Sequence, residues 1–95
     1  MPVILRLYGF RFFSISFDLI VEPFHLHVQK EKNTGKYWIF SDGSFELAQN
    51  NGFKMRELNT IEKILLENST FVLDEYKSYC YANSLSPNFK TKRKA

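Results

Sequence analysis

Two histidines occur in this chain, and they stand two positions apart in Glu22-Pro23-Phe24-His25-Leu26-His27-Val28. Side chains alternate across a strand, so His25 and His27 share one face while Phe24, Leu26 and Val28 share the other. Imidazoles change charge near neutral pH, which suits them to proton transfer, metal ligation or phosphate contact. As an acid–base pair they would serve phosphodiester cleavage if cations stabilised the phosphorane, and Arg6, Arg11 and Lys36 on neighbouring strands can supply that charge. As ligands to one zinc ion they would need a third donor, such as Asp18, Glu22 or Asp42. The plainest alternative makes both histidines the polar outer face of a half-exposed strand, bonded to neighbours or to a partner.

Other chemistry is sparse. Trp38, Tyr37 and Phe40 offer rings on which bases can stack, or else they are core. No phosphate-binding loop, glycine-rich dinucleotide turn or nucleophile-elbow serine is present, and no cofactor is expected. The single cysteine, Cys80, falls within an apolar helical stripe and reads as a buried structural thiol. It permits neither an internal disulfide nor a cysteine-based zinc site.

The elements that must position these residues follow from the pattern. Residues 3–8 read as a first strand, Gly9 as a turn free to take positive φ, and residues 10–17 as a second strand antiparallel to the first. In that second strand Arg11, Phe13, Ile15 and Phe17 take one side, and Phe10, Phe12, Ser14 and Ser16 the other. Asp18 to Pro23 connects to the histidine strand at 24–31. Asn33-Thr34-Gly35 reads as a hairpin turn returning to a strand at 36–41, and Ser41-Asp42-Gly43-Ser44 as a further turn. Residues 45–49 suit either a short fifth strand or a helical turn. After Asn51-Gly52 the period changes: Leu58, Ile61, Ile64 and Leu65 are spaced for an amphipathic helix of about 13 residues. Asn68-Ser69 breaks it, and a second helix runs from about Thr70 to Asn83 with Val72, Leu73, Tyr76, Tyr79 and Cys80 as its stripe. The expected fold is α+β: an antiparallel sheet of four to five strands followed by two C-terminal helices. Residues 1–83 form the single domain and residues 84–95 a flexible basic tail.

Composition narrows the setting. The apolar fraction is 44% and the aromatic fraction 17%, ample for one core in 95 residues. Arg6 and Arg11 interrupt the apolar start before a secretory leader can form, and no stretch approaches the roughly 20 residues needed to span a bilayer. A soluble cytoplasmic protein without membrane attachment is expected. Lys90, Lys92, Arg93 and Lys94 supply four of the 13 positive charges, so residues 1–89 hold nine Lys/Arg against ten Asp/Glu. Basicity belongs to the tail, and only a local cationic surface can argue for nucleic acid.

Several motifs occur together in order: Met1-Pro2-Val3-Ile4-Leu5-Arg6, Gly9-Phe10-Arg11-Phe12-Phe13, the Glu22-to-Val28 run, Lys36-Tyr37-Trp38, Asn51-Gly52-Phe53, Arg56-Glu57-Leu58, Ile61-Glu62 and Glu67-Asn68. Over residues 1–82 the chain resembles the small bacterial domain-of-unknown-function family 4160. Lys54 stands where that pattern usually has a helix-capping serine. The resemblance implies a toxin component of a toxin–antitoxin pair, with a cognate small antitoxin-like protein as partner and RNA as a possible target. It carries the His-x-His motif onto His25 and His27 and an arginine of the first strand pair onto Arg11. The site expected on this reading comprises His25, His27, Arg11 and Arg6. The alternative is a non-catalytic protein–protein interaction module in which the histidines are structural.

Overall fold

The computed structural model describes residues 3–14 and 22–91. Five strands, β1 (Val3–Leu7), β2 (Phe10–Phe13), β3 (His25–Lys30), β4 (Asn33–Ile39) and β5 (Phe45–Asn51), precede two helices, α1 (Met55–Glu67) and α2 (Ser69–Ala82). The strands form one sheet in the order β1-β2-β3-β4-β5, and each neighbouring pair is antiparallel. The α+β expectation holds, and residues 45–51 resolve as a strand.

Local chemistry explains the connections. Leu7 pairs with Phe10, leaving Tyr8 and Gly9 as a two-residue turn with φ of 53° and 82°. A type I′ hairpin turn requires positive φ at both positions. The next hairpin turns at Glu31-Lys32, two residues before the expected Asn33-Thr34-Gly35, because Lys30 pairs with Asn33. That register sets Leu26 against Tyr37 and Val28 against Gly35, keeping core side chains on one face. Gly35 is a packing residue: a Cβ there would lie 3.2 Å from Val28 Cγ1 and 3.5 Å from the Phe53 ring. The expected residues Ile15, Ser16 and Phe17 of the second strand lie outside the described residues, as does Asp18.

Both helices cover the same sheet face. Phe10, Phe12, Phe24, Leu26, Val28, Tyr37 and Ile39 meet Leu58, Ile61, Ile64 and Leu65 of α1 and Val72, Tyr76 and Cys80 of α2. Helices this short would not persist alone in water, so this burial holds them. The start of α1 lacks a side-chain acceptor at Lys54, but the Lys54 N–H donates to Glu57 Oε1 at 3.1 Å. Asn50 braces the entry, its side chain accepting from Phe53 N–H and donating to Phe53 O, each at 3.0 Å. Asn68 separates the helices, its side-chain amide donating to Ile64 O at 2.9 Å.

Within the stretch expected as a tail, Leu85 and Phe89 pack against the core. The Phe24 N–H donates to Asn88 O at 2.8 Å, and the Asn88 N–H donates to the Tyr76 hydroxyl at 2.8 Å. Phe24 and Tyr76 stack with ring centroids 4.0 Å apart, and Phe89 packs edge-on against both. This segment therefore closes the end of the core at which β3 begins.

Candidate functional site

The face of the sheet turned away from the helices gathers the chemistry. Directly paired residues of antiparallel strands lie on the same side. Arg6 pairs with Arg11 and Arg11 with Gln29; Phe13 pairs with His27 and His27 with Lys36; His25 pairs with Trp38. All four expected site residues, His25, His27, Arg11 and Arg6, thus share one face, together with Lys36. Register across three hairpins brings them together, although each strand places only its own members.

Their surroundings differ. His25 is fully buried, at 0% exposure, and its Nδ1 lies 2.9 Å from the Pro23 carbonyl oxygen. A carbonyl only accepts, so Nδ1 carries the proton and the ring orientation is fixed. His25 meets His27 and Trp38 edge-to-face, with ring centroids 5.1 and 5.5 Å apart. His27 is half-buried and stacks on Phe13 at 5.4 Å. The Arg11 guanidinium lies over the Phe13 ring, 4.8 Å from its centroid, and donates to Gln29 Oε1. At the far end Lys36 Nζ lies 4.5 Å from the Trp38 ring centroid and 3.0 Å from Glu22 Oε1. Lys90 Nζ approaches the same indole at 5.8 Å.

The result is a continuous ladder, Arg11–Phe13–His27–His25–Trp38–Lys36, with cations at both ends and imidazoles in the middle. Both cations are partly stripped of water by the rings beneath them; Arg11 is held by the neutral Gln29 amide, whereas Lys36 is ion-paired with Glu22. An anion crossing the face would meet a guanidinium, a half-exposed imidazole and an ammonium in sequence.

The other expected contributors part company. Of the three aromatic residues considered for stacking, Trp38 lies on this face, while Tyr37 and Phe40 are buried at 1% and 4% exposure. The Tyr37 hydroxyl donates to Glu62 Oε2 at 2.9 Å, and burial raises its pKa, with the Glu62 contact adding to the rise. Asp42 sits in the turn after β4, accepting from Ser44 N–H and Oγ–H. Glu22 is engaged by Lys36. Among the described residues no three His, Cys, Asp or Glu side chains come together in a metal-binding group. Cys80 is a free, buried thiol. Phe13, Gln29 and Lys90 are members that sequence reasoning passed over. For Phe13 a signal existed, since alternation already put it beside Arg11.

An α+β domain with one sheet face sheathed by a helix pair and the other bearing a cation–aromatic–imidazole ladder is a small single-sheet module. Residues 9–77 match the family described as Domain of unknown function (DUF4160), and the chain belongs to that family. Neither the curated proteins nor the solved structures contain a match. Among the described residues no helix is long and apolar enough to cross a membrane.

Proposed function

We propose that the protein acts on single-stranded RNA through the face opposite the helices, as the cytoplasmic toxin component of a pair with a cognate small antitoxin-like protein. The observation that carries this reading is the shared face of Arg6, Arg11, Lys36, His25 and His27, without which a phosphate clamp beside the imidazoles could not exist. His27 is the imidazole a substrate can reach: it takes the 2′-hydroxyl proton as that oxygen bonds to the adjacent phosphorus, and the resulting imidazolium returns the proton to the 5′-oxygen as the P–O5′ bond breaks. Arg11 and Arg6 neutralise charge gathering on the phosphorane. His25, buried and tied to Pro23, is a positioning residue that packs its ring edge-to-face against His27. Trp38 offers the base-stacking surface, with Lys36 and Lys90 beside it.

Inducing the protein in a bacterial host tests this directly. Wild type is expected to arrest growth and degrade RNA, while His27→Ala, still folded by circular dichroism, does neither. Intact RNA with wild type, or equal decay with both, would overturn the reading. The first result would favour a non-catalytic interaction module. That second reading draws support from the exposed Leu66 and Phe71, at 67% and 44%, on either side of the α1–α2 break.

A further inference from the structure

We propose that the RNA strand does not end at the histidine face but continues over the β1–β2 hairpin tip into a second cationic depression on the helix side, which holds its phosphodiester backbone. This inference rests on the RNA reading above and extends it to residues outside the ladder.

The depression has a volume of about 560 Å³ and is lined in part by Tyr8, Phe10, Lys30, Lys54, Arg56 and Glu57. A neighbouring hollow of about 400 Å³ is lined in part by Arg6, Tyr8, Gly9, Phe10 and Arg11. Tyr8 and Phe10 border both, so the two adjoin at the hairpin. Arg11 and Arg6 on one side and Lys30, Lys54 and Arg56 on the other therefore form a cationic band around the tip. This band lies within a body of near-neutral charge, which makes it a local feature rather than a consequence of composition.

Three observations point the same way. Lys30 lines the depression with its side chain packed over Gly9, where a Cβ would lie 3.3 Å from Lys30 Cε, and its ammonium sits 4.8 Å from the Phe10 ring centroid. Lys54 and Arg56 stand at the start of α1, where the helix dipole already carries partial positive charge. The carboxylate of Glu57, the acidic residue of that first turn, is engaged by the Lys54 N–H. Three cations, Lys30, Lys54 and Arg56, stand against one carboxylate, Glu57, in this lining, and an incoming phosphate would offset the surplus positive charge. Finally, Tyr8 is 76% exposed on a backbone with φ of 53°, a left-handed conformation unusual for a tyrosine. An exposed aromatic bordering two cationic hollows would serve as a stacking platform for a base whose flanking phosphates enter either side.

Fluorescence anisotropy with a labelled single-stranded oligouridylate, read at several salt concentrations, tests the path. The double variant Lys54→Ala/Arg56→Ala removes two phosphate contacts, so the slope of log affinity against log salt should fall by about 1.4 in magnitude, and affinity by roughly tenfold. Its thermal midpoint should be unchanged or slightly higher, because both side chains are exposed. Unchanged affinity and slope in that variant, with binding lost in Arg11→Ala, would overturn the inference and leave the histidine face standing. Loss in the double variant with Arg11→Ala unaffected would overturn the histidine face and the continuous path, leaving the depression as the only RNA contact. No binding by wild type would sink both.

Discussion

The two faces of the sheet are made by the same strands yet obey different rules. On the helix side, Leu26 and Val28 of β3, with Phe24 just before it, lie among apolar side chains at 0–1% exposure. On the other side, His25 and His27 of the same strand sit among Arg11, Lys36 and Trp38. One face is fixed by water exclusion, which is non-directional and tolerant of exchange between apolar residues of like volume. The other is fixed by ring edges, guanidinium–ring contacts and single hydrogen bonds, which are directional and specific to residue type. A substitution on the first face should report mainly on stability, and one on the second mainly on the proposed action on RNA.

The largest test of that division is Phe24→Ala. Phe24 is fully buried, stacks on Tyr76 and meets Phe89, so its removal should cost about 3–5 kcal/mol in urea denaturation. A loss below about 1 kcal/mol would show that the C-terminal segment does not seal the core there. Next in size is a contrast within the second face. His25→Ala should destabilise by about 2 kcal/mol through lost packing and the lost bond to Pro23, whereas His27→Ala should cost less than about 1 kcal/mol. Equal costs would remove the basis for the roles proposed for the two imidazoles.

The smallest expected effect returns to the helix side and depends on pH. Burial raises the pKa of both Tyr37 and Tyr76 above the ordinary 10.0. Below that value both states keep the phenolic protons; above it the unfolded chain releases them first, so stability falls as pH rises. The urea midpoint should therefore hold from neutral pH to about 9 and then decline. Tyr37→Phe should lower the midpoint at neutral pH by removing the bond to Glu62, yet make the decline shallower. An equally steep decline in the variant would remove Tyr37 as a source of the effect.

Much of this could be read from residue order. Helix α1 was visible because its four buried positions, Leu58, Ile61, Ile64 and Leu65, repeat at helical spacing and nothing competes with that period. The hairpin turn at 31–32 was misread because Asn33-Thr34-Gly35 carries a strong local turn signature. The pairing of Val28 with Gly35 overrode it, since register is set by the cost of exposing a whole apolar face. The docking of Leu85 and Phe89 was also hidden, because a short irregular segment has no period to reveal which side it buries.

The sequence by itself determined the order of the first four strands and the two helices, the alternation that separates His25 and His27 from Phe24, Leu26 and Val28, and the near-neutral charge of the body. These are local or additive properties of a chain. Only tertiary structure decided that Arg6, Arg11 and Lys36 stand on the histidine side, that His25 is sealed while His27 is half-exposed, and that Lys30, Lys54 and Arg56 converge beside the hairpin tip. Each depends on register and packing between segments distant in sequence, and a one-residue slip would have sent the same side chains to the opposite face.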